Sequence, residues 1–320
     1  MAYDGDIHVN AALSNYVRGI ACGDPVSDFI APRVEVPGDK GTYFTFSNDA
    51  KVEENFSGPH PSGVPYPSVD EKMGKEQFEI EYHGLSSVIP YRDIDTAGVS
   101  LDLEMSRSRS LASKLSVQRE VSAADKFFNA GNYTIGNTAA VGTKWNTSGG
   151  DPKKDIDAAA EVIFSKCGAY PNAILFGSAA WSKGVAQTFR LPNILAGGGL
   201  SSDEMRSLRP DEYAHFFWWG MSSMIATATK TADRNNLGGN AVYPPTSCLI
   251  FVRDLAQVEF AEAVSGDVGL GRTFVRSGAN GDTMIHRYEN QNPPGVHLVA
   301  DLGWAWEMNQ RCGYLLTACV

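Results

Sequence analysis

The segment DPKKDIDAAAEVIFSKCGAYPNAILFGSAAW, residues 151–181, combines a helix and a strand with clear boundaries between them. Asp151 can accept hydrogen bonds from the first N–H groups of a helix, and Pro152 suits the first helical position. Gly168 can adopt the left-handed conformation that ends many helices. The signals predict a helix over 151–168, with apolar residues three and four positions apart at Ile156, Ala159, Ala160 and Ile163.

The apolar run at 173–176 follows and is typical of a short buried strand. Gly177 then permits a sharp turn, and Ser178 is a good N-cap for a second helix beginning at Ala179. Phosphate-binding loops and serine-hydrolase elbows use this arrangement, because the free N–H groups of the helix face the turn. The segment therefore raises the question of whether Ser178 is catalytic.

The residues around Ser178 do not complete a catalytic pattern. A hydrolase elbow reads G-x-S-x-G, whereas Phe176 and Ala180 occupy the two glycine positions here. We interpret Ser178 as a helix cap without chemistry, and a serine hydrolase using Ser178 remains the alternative from a different class. The glycines of GDVGLG, residues 266–271, are in the wrong order for a nucleotide-binding loop and favour a turn.

The composition narrows the classes of function. The chain has 320 residues, 43% of them hydrophobic and 20% charged, an ordinary balance for a globular protein. With 27 basic and 37 acidic residues the formal net charge is −10, which disfavours general binding to nucleic acid. We find no apolar signal segment at residues 1–10 and no apolar run that could span a bilayer. We therefore expect a protein made in a cytosol, without a membrane partner.

Cysteines and histidines show no ligand pattern in the sequence. The cysteines are odd in number, scattered and without a CxxC pair, so we expect buried, reduced thiols. No two histidines are spaced i, i+4 on a predicted helix. We expect no catalytic, cofactor-binding or metal-binding residues. The residues considered are Cys22, Cys167, Cys248, Cys312, Cys319, His8, His60, His83, His215, His286 and His297.

The first eighty residues predict two extended features. In residues 1–38 three prolines interrupt the strand-like pieces, so we expect an extended arm that leans on something else. Residues 42–47 and 77–83 are rich in β-formers, and in the second stretch Phe78, Ile80 and Tyr82 alternate with acidic residues. We predict that these two strands pair as an antiparallel ribbon.

The connection between the two ribbon strands, residues 48–76, is unusually long for one compact domain. Four prolines between 59 and 67 forbid a continuous helix or central strand. Yet the connection contains more apolar residues than a linker needs: Phe56, Val64, Tyr66, Val69 and Met73. Because a two-stranded ribbon is only marginally stable alone, we predict that it packs on a neighbouring subunit.

Residues 101–128 predict an uninterrupted helix on the order of 40 Å long, which suggests a structural spine. The stop signal is the glycine of NAGN, Gly131. Basic residues on this helix are interleaved with acidic ones, so we interpret them as a solvated mixed-charge face; contact with nucleic acid is the alternative. The charged residues are Arg107, Arg109, Lys114, Arg119, Lys126, Glu104, Glu120 and Asp125.

Further strands are predicted at 216–220, 224–230, 248–254, 283–289, 295–301 and 313–320. The order of elements, with three segments, resembles the major capsid protein of tailed DNA phages. The segments are LASKLSVQREVSAADKFFNAGNY at 111–133, KWNTSGGDPKKDIDAAAEVIFSKCGAYPNAILFGSAAWSKGV at 144–185, and HRYENQNPPGVHLVADLGWAWEMNQRCGYLL at 286–316.

The resemblance implies an α+β fold of the tailed-phage capsid type, with five regions. We expect an N-arm at 1–38, an extended β-ribbon loop at 39–85, and a peripheral domain with the spine helix at 86–150. An axial domain at 151–285 and a return to the peripheral domain at 286–320 complete the chain. In this fold the turn at Ser178 is scaffold.

The resemblance also implies a function and partners. Copies would self-assemble as hexamers and pentamers into an icosahedral virion shell around double-stranded DNA, which they would contact weakly. A separate scaffolding protein, a portal and a decoration protein are the further partners we expect, with assembly in the host cytoplasm. An encapsulin nanocompartment, which shares the fold and encloses proteins, is the nearest alternative.

Overall fold

The computed structural model describes residues 8–9, 25–46, 73–97, 100–133, 136–185, 222–226, 230–233, 236–253, 269–276, 283–291 and 293–320. Everything below concerns these residues. The strand predicted at 216–220 and most of the long connection at 48–76 lie outside them, as do His60, His215 and Cys22.

The described part of the chain mixes helices and strands throughout. The α-helices are α1 (Val26–Ile30), α2 (Tyr91–Ala97), α3 (Ser100–Phe127) and α4 (Pro152–Cys167). The strands up to residue 177 are β1 (His8–Val9), β2 (Arg33–Val36), β3 (Lys40–Phe46), β4 (Met73–Glu79), β5 (Glu81–Pro90), β6 (Thr138–Ala140) and β7 (Ala173–Gly177). The later strands are β8 (Ser222–Ala226), β9 (Lys230–Asp233), β10 (Asn236–Ala241), β11 (Cys248–Phe251), β12 (Gly271–Arg276), β13 (Met284–Gln291), β14 (Pro294–Met308) and β15 (Gly313–Thr317).

The predicted spine is α3, a single helix of 28 residues. It ends at Phe127, four residues before the predicted stop at Gly131. A short 3₁₀ turn follows, and the Asn129 side chain accepts a hydrogen bond from the Gly131 N–H. In the part of the chain that the structure describes, no helix combines the length and the apolar character that crossing a membrane requires.

A six-stranded sheet packs against the spine helix. Its strands follow the order β1-β13-β14-β12-β2, and β5 pairs with β14 as well. Strand β14, with 15 residues, is central to the sheet. Its residues 294–301 pair with β13 and 295–304 pair with β5, and residues 305–308 pair with β12. Even-numbered residues of β14 from Val296 to Trp304 are buried against Leu111 and Leu115 of α3. This packing fixes the helix across the sheet.

A five-stranded sheet in the order β6-β15-β11-β7-β8 forms the second core together with α4. The boundaries of α4 confirm the sequence prediction. The Asp151 carboxylate accepts a hydrogen bond from the Lys154 N–H, and Gly168 ends the helix with a φ of 75°. The four predicted apolar positions are buried, and β7 is buried along its whole length.

Strands β3 and β4 form the predicted antiparallel ribbon, with Lys40 opposite Glu79 and Phe46 opposite Met73. At Ile80 the chain changes partner, since β5 pairs with β14 instead of β3. Phe78 and Ile80 are buried, but Tyr82 beyond this point is 47% exposed. The alternation predicted from the sequence therefore does not give the three side chains a common burial, because the pairing partner changes between Phe78 and Tyr82.

Part of the N-terminal segment packs on its own subunit, contrary to the expectation of an arm that leans elsewhere. Helix α1 was not predicted, and its Ile30 is fully buried in the core beside Phe127 and Phe251. Strand β2 extends the six-stranded sheet by pairing in parallel with β12. Residues 25–36 are thus an integral part of the fold.

Candidate functional site at the base of the ribbon

The turn at Ser178 is closed by a neighbouring segment. The N–H groups of Ala179 and Ala180 both donate to the Pro245 carbonyl at 2.9 Å, and the Gly177 N–H donates to Ser247. A side chain at Gly177 would have its Cβ 2.4 Å from the Pro245 oxygen. The N–H groups of Ala179 and Ala180 are therefore occupied and are not available to a ligand or an oxyanion.

The described histidines lie in the other sheet. His83, His286 and His297 are on β5, β13 and β14 of the six-stranded sheet, whereas Ser178 follows β7 of the five-stranded sheet. Within the described residues, no histidine is placed to act as the base that a serine nucleophile requires.

The spine helix forms the predicted solvated mixed-charge face only in part. Glu104 and Glu120 are buried, and so is Arg119, whereas Arg107 and Arg109 are exposed. Lys114 and Asp125 are also exposed, and Lys126 is half-buried. The interpretation from charge interleaving was therefore wrong for the three buried residues.

A buried network joins the N-terminal segment to the spine helix. The Glu120 carboxylate accepts hydrogen bonds from the Ser27 N–H at 3.1 Å, from the Ser27 hydroxyl at 2.6 Å and from the Tyr243 hydroxyl at 2.6 Å. Beside it, Arg119 forms an ion pair with Asp28, which also binds Arg33. Burial lowers the pKa of Arg119 and raises that of Tyr243. Arg119 is paired with Asp28 and Glu120 is satisfied by neutral donors, as burial requires, although the Arg119 Nε has no hydrogen-bond partner among the described residues.

The ribbon is held at its base by an aromatic cluster. Phe78 of β4 stacks on Phe274 of β12 with ring centroids 4.4 Å apart, and Tyr43 of β3 lies 5.5 Å from the same ring. Val34 and Val36 of β2 complete this small core. The ribbon therefore begins on a packed foundation within its own subunit.

Glu307 lies beside this cluster, in a cavity of about 250 Å³ between the ribbon and the spine helix. Burial raises the pKa of Glu307 to about 7, and the nearby Glu76 of the ribbon adds to this rise. Arg272, directly opposite on β12, acts in the other direction. Among the described residues, the Glu307 Oε2 atom is buried without a hydrogen-bond partner. At the ribbon base, Glu307 therefore combines a raised pKa with a buried oxygen that lacks a hydrogen bond.

Sequence reasoning missed the roles of Glu120 and Glu307. Glu307 had a weak signal, since it follows Trp304 and Trp306 at the end of a buried strand, where a charge is unusual. Glu120 had none, because its partners are 93 and 123 residues away in sequence.

In the part of the chain that the structure describes, no group of three His, Cys, Asp or Glu side chains could hold a metal ion. The four described cysteines, Cys167, Cys248, Cys312 and Cys319, are buried, as predicted, and no disulfide joins them. Burial raises the pKa of Cys319 to about 12, so its reactive thiolate is suppressed at neutral pH.

Comparison with known proteins places this architecture in a class. No protein-family model matches the chain. The major capsid protein of Burkholderia phage BcepMu is 24% identical over 179 residues, which cover 54% of this chain and 56% of that protein. The chain thus spans about half the length of the curated relative it matches.

Solved structures are similar over almost the whole chain. A phage-related protein from Bordetella bronchiseptica RB50 has a TM-score of 0.72 at 16% identity, covering 98% of both chains. The capsid structure of cyanophage P-SCSP1u has a TM-score of 0.59 at 13% identity, covering 91% of this chain and 87% of that one. An encapsulin complex from Synechococcus elongatus PCC 7942 has a TM-score of 0.50 at 11% identity, covering 94% and 93%. The chain has the α+β fold of the tailed-phage capsid proteins, which confirms the resemblance seen in the sequence.

Proposed function

We propose that this protein is the major structural subunit of an icosahedral phage shell, which self-assembles as hexamers and pentamers and encloses double-stranded DNA. The observation that carries the proposal is the similarity to the cyanophage capsid structure over 91% of the chain. The relative from phage BcepMu, named a major capsid protein, supports the same function.

The proposal gives each region of the chain a role. The N-arm would be residues 1–38, of which 25–36 pack on the subunit's own core. The extended loop would be 39–85, the peripheral domain 86–150 and 286–320, and the axial domain 151–285. Two strands pair across the proposed domain boundaries. Strand β12, within 151–285, pairs with β14 of the peripheral domain, and β15, within 286–320, pairs with β11 of the axial domain. The extended loop would cover the next subunit, which gives its apolar residues a place to be buried.

The shell would need partners beyond its own copies. We propose a separate scaffolding protein, a portal and a decoration protein, with assembly in the host cytoplasm and a final location in the virion. The protein itself would be structural and not an enzyme. The occupied N–H groups at the Ser178 turn support this over a serine hydrolase.

An encapsulin-like nanocompartment is the second candidate, because an encapsulin shares the fold along more than nine-tenths of the chain. The phage shell is favoured by the higher TM-scores of the phage-related protein and the cyanophage capsid.

Electron microscopy of the purified, assembled protein tests the proposal. We expect closed icosahedral particles built of hexamers and pentamers, and the contents of particles from infected cells separate the two candidates. Nuclease-protected double-stranded DNA supports the phage shell, and a single enclosed enzyme supports the nanocompartment. A protein that stays monomeric under all assembly conditions would contradict both.

A further inference from the structure

The exposed face of the spine helix between Ser106 and Lys114 is basic; we name these residues the basic strip. Its exposed side chains are Ser106, Arg107, Arg109, Ser110, Ser113 and Lys114. Three of the six carry a positive charge and none carries a negative charge. For a chain with a formal net charge of −10, this is a marked local reversal.

Two acids of the spine helix, one on each side of the strip in sequence, are engaged elsewhere. The Glu104 carboxylate is buried and accepts hydrogen bonds from Arg287 at 3.1 and 3.2 Å. Glu120 is buried in the network with Ser27 and Tyr243. Within the described part of the chain, no ion pair involves Arg107, Arg109 or Lys114. The strip therefore presents uncompensated charge to whatever lies against it.

The spacing and chemistry of the strip fit a phosphate backbone. Arg107 and Lys114 are seven residues apart, so they project from the same side of the helix at a separation of about 10 Å. The serines between and beside them can donate hydrogen bonds to phosphate oxygens. Their small side chains also allow a close approach to the helix. Double-stranded DNA offers one negative charge per about 1.7 Å of its axis, so suitable phosphates are always within reach.

A second protein copy is a poorer fit to the same face. Stable protein interfaces are anchored by buried aromatic or apolar residues. None of the six exposed side chains of the strip is aromatic or aliphatic. The strip offers only charge and hydroxyl groups, which is the chemistry of sequence-independent contact with DNA.

We infer that the basic strip contacts the phosphates of the enclosed double-stranded DNA and places the spine helix on the inner face of the shell. This inference rests on the proposed shell function. Because DNA inside a shell is held at high concentration, three cations per subunit suffice even though the whole chain is acidic.

Charge removal tests the contact directly. The triple variant Arg107→Gln, Arg109→Gln, Lys114→Gln is compared with a control that also loses three exposed cations, Lys153→Gln, Lys154→Gln, Lys183→Gln. The full-length protein is titrated with a short DNA duplex over a range of salt concentrations. The strip variant should lower the slope of log K against log salt by about 3, and the control should leave it nearly unchanged. Equal slopes for the two variants would overturn the inference.

Chemical labelling in the assembled shell provides the second measurement. Lys114 and Lys153 are acetylated with an amine-reactive ester in DNA-filled shells and in shells emptied of DNA. We expect labelling of Lys114 to be several-fold lower in filled shells, and labelling of Lys153 to be the same in both. Protection of Lys114 in filled and empty shells alike would assign the strip to a contact between copies and overturn the inference. Intact shells with an unprotected Lys114 would overturn it while leaving the proposed shell function standing.

Discussion

At the scale of single residues, burial decides which charges matter. Glu79 and Glu307 are both glutamates near the ribbon base, yet Glu79 is exposed and pairs with Lys40, whereas Glu307 is sheltered beside Trp306. Water screens the first, and its ion pair contributes little to stability. The second is desolvated, so its charged form is disfavoured in the folded protein.

Replacing Glu307 with glutamine should change how stability depends on pH. The pKa of Glu307 is raised from 4.5 to about 7, so the folded protein keeps a proton that the unfolded chain has lost. The stabilisation from this proton is complete below about pH 4.5 and is lost as the pH rises through about 7. Glu307→Gln stays neutral throughout. It should therefore gain up to about 3 kcal/mol relative to the wild type between about pH 5 and pH 8.

Denaturant unfolding of the unassembled protein at about pH 5 and about pH 8 measures how the free energy of unfolding changes with pH in each variant. Glu79→Gln is the matched control, since its exposed pair should shift the free energy of unfolding by less than about 1 kcal/mol at both. The same pH dependence in wild type and Glu307→Gln would show that the carboxyl is hydrated and that the ribbon base carries no buried acid.

At the scale of secondary-structure elements, the turn after β7 shows how one strand is tied to its neighbours. A Cβ atom at position 177 would lie 2.4 Å from the carbonyl oxygen of Pro245 and 2.6 Å from that of Pro244. The Pro245 carbonyl cannot easily move away, because its oxygen accepts hydrogen bonds from the N–H groups of Ala179 and Ala180. Gly177→Ala should lower the free energy of unfolding by about 1–3 kcal/mol through overpacking.

Ser178→Ala, at the next residue, should cost about 1 kcal/mol at most, the value of a helix cap, because among the described residues the Ser178 hydroxyl makes no hydrogen bond and Pro245 accepts from the neighbouring N–H groups. Both variants are compared by denaturant unfolding, and Ser178→Ala shells by electron microscopy. A larger loss for Ser178→Ala than for Gly177→Ala would contradict the closed turn.

The elements differ in how far the sequence predicts them. Helix α4 was predictable because its cap residue, its apolar positions and its terminal glycine all lie within 18 consecutive residues. Helix α1 was not, since five residues between prolines have little helical preference of their own. It is held by Glu120, 93 positions away in sequence. Local signals therefore identify elements that are stable through their own residues.

The partner change at Ile80 illustrates the same limit within a strand. Alternation continues unbroken from Phe78 to Tyr82, so the sequence predicts one strand. The exchange of β3 for β14 as the pairing partner depends on a strand more than 200 residues away. The closure of the Ser178 turn by Pro245 belongs to the same category. The position of the Ser178 turn was predictable, whereas its closure depends on tertiary contacts.

At the scale of the whole molecule, the base of the ribbon belongs to the folded subunit, whereas the loop beyond it is the part proposed to act in assembly. Its base is packed within the subunit through Phe78, Phe274 and Val36. Its strands end at Phe46 and Met73, which are directly paired. Residues 47–72 can therefore be replaced by an Asn-Gly turn, the preferred connection for two paired strands, without disturbing the base.

We expect this shortened protein to fold and to fail to assemble. Because the base of the ribbon is unchanged, the melting temperature of the shortened protein should stay within a few degrees of the wild-type value. Shells should be absent, because the removed residues are those proposed to cover the next subunit. A second variant keeps the length of the loop and replaces Phe56, Val64, Tyr66 and Val69 with serine. If apolar burial on the neighbour drives assembly, this variant should also form no shells; normal particles from either variant would contradict the proposed role of the loop.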